Sequence, residues 1–302
     1  MKAKQQLGQN FLMHSATARR IVMSARLPAS SSVLEIGPGT GMLTKALLDA
    51  GHMVTAVETD SELIPVLAET FAQEIREGRL SLISGDIRTF NLQKYVKAFK
   101  NPKKSAQMLG ANERESEPYL KYGKDSSDES NNADGLFSSD SYHVVANIPY
   151  YITGEILRYL LSTEHKPESI TILVQKEVAV RVARSVKESI LSLSVKAYGE
   201  PLIAFLVPRG AFRPSPKVDS AVLTIQSIRS PFKKPSEEKA FFDILHAGFG
   251  QKRKRLAKNL EVLYSKERIE EVFTFLNLSS NIRAEELPLS VWFSLLRKLK
   301  ST

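Results

Sequence analysis

The stretch Glu35–Gly41, with the sequence EIGPGTG, follows the apolar run Ser32–Ile36 and precedes the helix-length segment Met42–Ala50. Three alternating glycines let the backbone approach a ligand closely, with N–H groups of the following helix pointing at that ligand. Nucleotide-type cofactors bind at this turn in doubly wound α/β sheets. The dinucleotide pattern requires glycine at its sixth position, where this chain has Met42, so an enzyme that transfers hydride is disfavoured.

Further apolar runs alternate with helix-length segments through the first two thirds of the chain. They are Met53–Val57, a helix over about Asp60 to Glu77, Leu80–Ile83, His143–Ala146 and Ile170–Val174. Strands separated by helices imply βαβ units and a mostly parallel sheet. Leu202–Val207 and Ala221–Gln226 have no helix-length segment between them, so we predict that they form an antiparallel hairpin and complete a seven-stranded sheet.

Two carboxylates follow the next strands in order. Glu58 ends the second strand, where a carboxylate can accept hydrogen bonds from both hydroxyls of a ribose. Asp86 ends the third strand, at a suitable place to receive the amine of an adenine. Each acid alone is more typical of a surface cap. The ordered set of glycine turn, Glu58 and Asp86 matches the S-adenosylmethionine (SAM) site of Rossmann-like methyltransferases, so we predict SAM as cofactor and S-adenosyl-L-homocysteine as product.

The stretch Asn147–Tyr150, NIPY, suits the exocyclic amine of a nucleobase as methyl acceptor. That nitrogen is a poor nucleophile because its lone pair is delocalised into the ring. The Asn147 side-chain carbonyl and a neighbouring backbone carbonyl can accept hydrogen bonds from both amine hydrogens. Pro149 helps to hold that carbonyl, and Tyr150 offers a flat face for a flipped-out base. The alternative is a strand that ends in a proline turn with a packed tyrosine.

The proline-braced loop Ala211–Ser220 carries one aromatic residue and two cations. We predict that Phe212 forms the second face of a base sandwich with Tyr150, and that Arg213 and Lys217 bind phosphates. An ordinary hairpin connection is the alternative.

A dense cationic run consists of Lys252, Arg253, Lys254 and Arg255. Such runs are usually solvated faces, but the chain as a whole has a net charge of +9, which favours polyanionic partners. We predict that these four side chains contact an RNA backbone and position it without reading its sequence.

Composition excludes several classes of protein. The 302 residues include no cysteine, so disulfides, thiolate metal sites and cysteine nucleophiles are excluded. The five histidines lack the spacing of metal ligands, and we expect no metal. No apolar run reaches the length of about 18 residues that a membrane span needs, and the N-terminus does not resemble a signal peptide. We therefore expect a cytoplasmic protein with no membrane partner.

Two segments interrupt the alternating pattern. Asn101–Ser141 carries five Lys or Arg and eight Asp or Glu residues, so we predict an acidic, flexible insertion over about 97–141. Ser230–Glu238 has the composition of a linker, and the chain beyond it is helical, ending in the amphipathic region Leu289–Leu299. We therefore predict a catalytic domain over 1–229 and a helical, RNA-binding domain over 230–302.

Taken together, the chain resembles the small-subunit rRNA adenine dimethyltransferases of the KsgA/RsmA type. The motifs that carry the resemblance are GQNFL, EIGPGTG, NIPYYIT, VQKEVA, VPRGAFRPSPKVDSAV and GFGQKRKRLAKNL. The resemblance implies a Rossmann-like methyltransferase fold with a small C-terminal helical domain. It also implies transfer of two methyl groups from SAM to N6 of each of two adjacent adenosines. Those adenosines lie in a hairpin loop near the 3′ end of small-subunit rRNA, modification comes late in subunit assembly, and the enzyme is expected to be a monomer.

The resemblance also assigns roles to single residues. It implies SAM contacts from Asn10, Leu12, Gly37, Glu58, Asp86 and Asn147. For the adenosine it implies Asn147, Tyr150 and Phe212. From the residues alone, the segment Gln9–Leu12 is either a helix that packs on the sheet or a lid over the cofactor. The insertion departs from the family, since the gap from Asp86 to Asn147 is about forty residues longer than in most members.

Three alternatives stay open at this point. An antibiotic-resistance methylase of large-subunit rRNA shares the fold and the NIPY-type site, but the VPRGAFRPSPKVDSAV segment and the C-terminal domain disfavour it. A DNA adenine methylase is less favoured because no target-recognition domain is visible. An RNA-binding assembly factor with minor catalysis is disfavoured by the intact Glu58, Asp86, Asn147 and Tyr150.

Overall fold

The computed structural model describes residues 9–89, 120–121 and 141–300. The chain divides into two compact units. The first comprises Met1–Lys176 and Leu202–Ile228, and the second comprises Glu177–Pro201 and Arg229–Thr302. The second unit therefore contains a segment, Glu177–Pro201, that the sequence analysis placed in the catalytic domain. The predicted insertion over about 97–141 lies outside the described residues, apart from 120–121 and 141.

The first unit is built around one sheet of eight strands. Its strands are β2 (Ser32–Ile36), β3 (Met53–Glu58), β4 (Leu80–Ser84), β5 (Leu120–Lys121), β6 (His143–Asn147), β7 (Ser169–Gln175), β8 (Glu200–Val207) and β10 (Ser220–Gln226). Their spatial order is β5-β4-β3-β2-β6-β7-β10-β8. Strands β2 to β7 are parallel to their neighbours, and β10 is antiparallel to β7. The predicted seven-stranded, mostly parallel sheet is confirmed, and the two-residue β5 extends one edge.

Strand register brings the chemically informative residues to one edge of this sheet. Ile36 of β2 lies opposite Val57 of β3, and Glu58 lies opposite Ser84 of β4. On the other side of β2, strand β6 runs parallel to it and ends at Asn147. Ligands in open α/β sheets bind outside the carboxyl ends of the strands, where the order of connection reverses. That reversal lies here between β2 and β6.

The first unit also contains five α-helices in its described part. These are α1 (Ser15–Ala25), α2 (Met42–Asp49), α3 (Leu63–Thr70), α4 (Ala72–Arg76) and α5 (Thr153–Ser162). The single helix predicted near residues 60–77 is divided at Phe71, whose backbone leaves the helical region at φ −111° and ψ 26°. The Phe71 ring is buried against Gly41, so packing of this ring on the glycine turn accompanies the break.

The second unit is helical. Its helices are α6 (Lys176–Ala183, of which Lys176 belongs to the first unit), α7 (Ile190–Tyr198), α8 (Pro235–Gly248), α9 (Leu256–Leu260), α10 (Lys266–Phe275) and α11 (Leu289–Lys300). Helix α11 begins directly after Pro288, and its buried side chains recur at helical spacing from Trp292 to Leu299. Phe293 of this helix packs with Phe232 and Phe241, and the three ring centroids lie 5.0–5.9 Å apart. An aromatic core therefore holds this unit together.

Candidate active site

A cavity lies at the carboxyl ends of β2, β3, β4 and β6, within the first unit. It brings together seven of the residues singled out in the sequence, which are Asn10, Leu12, Gly37, Glu58, Asp86, Asn147 and Tyr150. They come from five separate stretches of the chain, because parallel strands end at a common edge.

The glycine turn after β2 has a backbone that only glycine adopts readily. Gly37, Gly39 and Gly41 have φ angles of +68°, +60° and +80°. A β-carbon on Gly39 would stand 3.0 Å from the Phe11 ring, and one on Gly41 would stand 2.5 Å from the Phe71 ring. At Gly39 and Gly41, both the left-handed backbone and the close packing of a phenyl ring therefore favour glycine. Nothing lies within 4 Å of the place of a β-carbon on Gly37, so the backbone is open to a ligand there.

Glu58, at the end of β3, is held in one orientation by two backbone donors. Its Oε2 accepts a hydrogen bond from the Gly39 N–H at 3.0 Å, and its Oε1 accepts one from the Asp60 N–H at 2.8 Å. The side chain is 6% exposed, and burial raises the pKa of Glu58. Each carboxylate oxygen has a second lone pair, so a fixed pair of acceptors lines the cavity.

Asp86, beyond the end of β4, is bound by a cation of the chain itself. Arg88 Nε lies 3.0 Å from each oxygen of the Asp86 carboxylate, and Arg88 Nη2 lies 2.5 Å from Oδ2. The same guanidinium reaches Glu155 of α5, with Nη1 at 3.7 Å from Oε2. Sequence reasoning missed Arg88. Its position two residues after Asp86 was the available signal, since this spacing lets a long side chain fold back onto the carboxylate.

Glu35 is a second residue that the sequence analysis missed. It lies in β2, is completely buried, and lines the cavity. Thr44 Oγ1 donates a 2.7 Å hydrogen bond to Oε2, while Oε1 is buried with no hydrogen-bond partner. Burial raises the pKa of Glu35 to about 8. An acid between Leu34 and Ile36, in a strand that the sequence predicts to be buried, was the signal that could have identified it.

The orphan oxygen of Glu35 tests whether the cavity fits the predicted cofactor. A buried acceptor without a partner favours a ligand that brings a donor, and it favours a cationic donor most strongly. SAM carries an ammonium group and a sulfonium centre, so the chemistry of this pocket fits that cofactor. The glycine turn, Glu35, Glu58 and Asp86 are the groups that would hold it.

The Asn147 side chain is oriented by the N-terminal segment. Its Nδ2 donates a hydrogen bond to the Asn10 backbone carbonyl at 3.0 Å. A carbonyl can only accept, so the atom that faces it must be the amide nitrogen. The Asn147 Oδ1 is thereby turned away from Asn10 and remains an acceptor. This orientation is the one that the proposed amine-binding role requires.

Tyr150 is half-buried and anchored through its hydroxyl group. Tyr150 Oη lies 2.5 Å from Ser220 Oγ at the start of β10, and burial raises the pKa of Tyr150. Tyr151, the next residue, lines the same cavity and is 64% exposed. The anchored ring of Tyr150 and the exposed ring of Tyr151 therefore both line the cavity.

The segment Gln9–Leu12 includes a strand instead of the helix that was one alternative. Strand β1 (Phe11–Leu12) pairs with β9 (Phe212–Arg213), with Leu12 opposite Phe212. Phe11 thereby packs on Gly39 of the glycine turn. Gln9 Nε2 donates to Asp60 Oδ2 at 2.9 Å, so a side-chain amide also links this segment to the turn after β3.

The structure does not bring Phe212 to the cavity. Its side chain is 4% exposed, packs in the hydrophobic core with Leu12, and is not among the residues that line the cavity. Its stacking on a base stays a prediction. Arg213 and Lys217 are exposed on the same loop, as contacts to phosphate require.

The cationic run lies in the second unit, in the turn between α8 and α9. Lys252, Arg253, Lys254 and Arg255 are all exposed.

Within the described residues, no group of three His, Asp or Glu side chains could hold a metal ion. None of the helices in residues 9–89, 120–121 and 141–300 has the length and apolar character of a membrane span.

Comparison with known proteins decides the family. A family model described as ribosomal RNA adenine dimethylase matches residues 1–300. The chain belongs to this family. This chain is 34% identical over 290 residues to the ribosomal RNA small subunit methyltransferase A of Lactococcus lactis. The match covers 94% of this chain and 85% of that protein. The chain is also 31% identical to the protein of the same name from Fusobacterium nucleatum, covering 98% and 97%.

Solved structures agree on the fold. A dimethyladenosine transferase from Plasmodium falciparum superposes on this chain with a TM-score of 0.69 at 22% identity. The superposition covers 95% of this chain and 96% of the Plasmodium chain. The Rossmann-like methyltransferase fold is therefore confirmed. The prediction of a SAM-dependent enzyme that methylates rRNA adenines is confirmed by the family.

Proposed function

We propose that the dimethylase transfers two methyl groups from SAM to N6 of each of two adjacent adenosines in the 3′-terminal hairpin loop of small-subunit rRNA. The orientation of Asn147 by the Asn10 carbonyl carries the chemical part of this proposal. The names of the curated relatives, which are small-subunit methyltransferases, support the choice of small-subunit rRNA over large-subunit rRNA.

The groups around the glycine turn bind the cofactor in this proposal. Glu58 accepts hydrogen bonds from the ribose hydroxyls, Asp86 accepts one from the adenine amine, and Glu35 faces the cationic part. Asn10 and Leu12 close the same cavity from strand β1 and the residue before it. When bound, SAM supplies a methyl group on a sulfonium, which is already a good leaving group.

The NIPY loop orients the acceptor adenine. Asn147 Oδ1 and a backbone carbonyl of this loop accept hydrogen bonds from the amine, which draws the nitrogen lone pair out of conjugation. Tyr150 stacks on the base, and its hydrogen bond to Ser220 keeps the ring in place. Methyl transfer would release S-adenosyl-L-homocysteine and make the nitrogen cationic, and the nitrogen would then lose a proton to solvent. Placement and release of the lone pair supply the catalysis, so no general base is assigned.

We also propose where this enzyme acts and which cations contact the rRNA. The dimethylase acts as a monomer in the cytoplasm, on a late assembly intermediate of the small ribosomal subunit. Arg213 and Lys217 of the first unit, and Lys252–Arg255 of the second, contact the rRNA backbone. All six cations are exposed, as such contacts need.

The deciding experiment supplies methyl-labelled SAM with unmodified small subunits, large subunits or duplex DNA, and resolves the digested nucleosides by mass. Dimethyladenosine from small subunits alone is the expected result. Label in large-subunit RNA or in DNA would overturn the choice of substrate. Bound SAM without any label would overturn the catalytic proposal in favour of an assembly factor.

A further inference from the structure

Arg88 lies in the candidate active site between the residues assigned to the cofactor and those assigned to the acceptor base. Among the described residues that line this cavity it is the one cation, whereas Glu35, Glu58 and Asp86 are acids. We propose that Arg88 couples the two substrates, because it gives up Asp86 to the adenine of the cofactor and then binds a phosphate beside the acceptor adenosine. This inference rests on the proposed function, in which Asp86 accepts the adenine amine and the acceptor lies in RNA.

The Asp86 carboxylate is fully occupied by residue 88. Its Oδ1 accepts hydrogen bonds from the Arg88 backbone N–H at 2.9 Å and from Arg88 Nε at 3.0 Å. Its Oδ2 accepts them from the same Nε at 3.0 Å and from Nη2 at 2.5 Å. An ionised carboxylate offers about four lone-pair sites, so a further donor must displace one of these bonds. An adenine amine therefore binds Asp86 only at the expense of the guanidinium.

This ion pair is one that a ligand can break. The side chains of Arg88 and Asp86 are 40% and 26% exposed, so water screens the attraction between them. The backbone N–H of Arg88 can stay on Oδ1 while the guanidinium leaves, since that bond requires no particular position of the side chain. Asp86 thereby keeps its orientation and gains a place for the adenine amine.

A second carboxylate lies beside the guanidinium, on the side of the acceptor loop. Arg88 Nη1 is 3.7 Å from Glu155 Oε2, in the first turn of helix α5, and the Glu155 side chain is 56% exposed. Helix α5 begins three residues after Tyr150 of the NIPY loop. The distance to Glu155 is longer than a hydrogen bond, so Glu155 attracts the guanidinium without taking up its donors. Arg88 therefore bridges the cofactor acid Asp86 and the helix that follows the acceptor loop.

The same edge of the guanidinium serves a carboxylate or a phosphate. Nε and Nη2 are the two side-chain donors that Asp86 holds, and a pair of phosphate oxygens matches this fork as a carboxylate does. The nucleotides around the acceptor adenosine carry such phosphates, and Asn147, Tyr150 and Tyr151 line the same cavity as Arg88. The donors that Arg88 withdraws from Asp86 are therefore the donors that RNA requires.

Binding of cofactor and binding of RNA are then cooperative. A new contact with a phosphate releases counterions from the RNA, so the cofactor should strengthen RNA binding and steepen its dependence on salt. By thermodynamic linkage, RNA should strengthen binding of the cofactor by the same factor. An exposed contact of this kind corresponds to a change in affinity of about two- to fivefold.

The test measures binding of a small-subunit rRNA fragment with and without saturating S-adenosyl-L-homocysteine, across a range of salt concentrations. This product has the adenine of the cofactor but no sulfonium charge, and it prevents methyl transfer during the measurement. In the wild type it should tighten RNA binding about two- to fivefold and steepen the slope of log K against log salt by about 0.7 to 0.9. Both effects should be absent from Arg88→Met, whereas Arg88→Lys, which keeps the charge, should retain the change of slope. The control Arg76→Met removes a cation from helix α4 outside the cavity and should respond as the wild type does.

An equal effect of S-adenosyl-L-homocysteine on the wild type and on Arg88→Met would overturn the inference, and so would the lack of any effect on the wild type. Failure of the proposed function gives a different result in the methylation assay. Label in large-subunit RNA in place of small-subunit RNA would overturn the proposed substrate. The same comparison of variants on that RNA would then decide whether Arg88 couples the two substrates.

Discussion

The side-chain amide of Asn147 donates a hydrogen bond to the backbone carbonyl of Asn10 at 3.0 Å, across 137 positions of the sequence. Asn10 directly precedes β1, whose Phe11 packs on Gly39 of the glycine turn. One short segment therefore touches the cofactor turn and also orients the group proposed to hold the acceptor amine. In the proposed site, binding of SAM and orientation of Asn147 are therefore linked through this segment.

Replacing Asn147 by alanine should lower the rate of methyl transfer by about two to three orders of magnitude. The variant loses the acceptor for the amine hydrogens, while Glu58 and the glycine turn are unchanged. SAM affinity, measured by equilibrium dialysis, should therefore stay within about threefold of the wild type. Equal loss of transfer and SAM binding would show that Asn147 belongs to the cofactor site instead.

Replacing Arg88 by methionine should tighten SAM binding. Arg88 occupies the Asp86 carboxylate and must release it before that carboxylate can accept from an adenine amine. An ion pair this exposed is worth up to about 1 kcal/mol, so calorimetry should show a dissociation constant about two- to fivefold lower. Arg76→Met, on helix α4 outside the cavity, is the matched control. Weaker binding by the Arg88 variant alone would mean that Arg88 contacts the cofactor.

Replacing Glu35 by glutamine should change how stability depends on pH. The folded-state pKa of Glu35 is raised from 4.5 to about 8, so the neutral form is the one that folding favours. The stability that this group contributes is complete below about pH 4.5 and is lost as pH rises through about 8. The free energy of unfolding of the wild type should therefore fall relative to Glu35→Gln, by on the order of 1 kcal/mol per pH unit. Urea unfolding at pH 5.5, 6.5 and 7.5 measures the difference, and parallel curves would contradict it.

Replacing Gly41 by alanine should destabilise the first unit by about 2 to 4 kcal/mol. The position has φ of +80°, and the new β-carbon would stand 2.5 Å from the buried Phe71 ring, so backbone strain and overpacking add together. Gly154→Ala is the control, because nothing lies within 4 Å of its β-carbon position at the start of α5. That variant should be neutral or more stable by up to about 1 kcal/mol, since alanine favours helix. Similar loss in both variants, measured by thermal unfolding, would exclude packing as the cause.

The strands of the sheet could be predicted from the sequence, and so could the edge of the sheet at which the candidate site residues lie. Parallel strands buried on both faces are continuous apolar runs, and the bounds predicted for β2 agree with the structure. Because the parallel strands end at the same edge, Glu58 and Asn147 could be placed near the glycine turn without knowledge of any contact. The prediction of one continuous helix near residues 60–77 was wrong at Phe71, because local helix propensity does not depend on what the Phe71 ring packs against in the folded chain.

The sequence by itself determined the fold class, the cofactor and the family, because the order of strands, helices and motifs along the chain follows the order of the sheet. The tertiary structure alone decided the rest. One carboxylate oxygen of Glu35 is buried without a hydrogen-bond partner, and Arg88 forms an ion pair with Asp86. The Asn147 amide is oriented by its hydrogen bond to the Asn10 carbonyl. The tertiary structure also grouped Glu177–Pro201 with the second unit. Each of these depends on burial or on contacts between side chains whose partners no local pattern specifies.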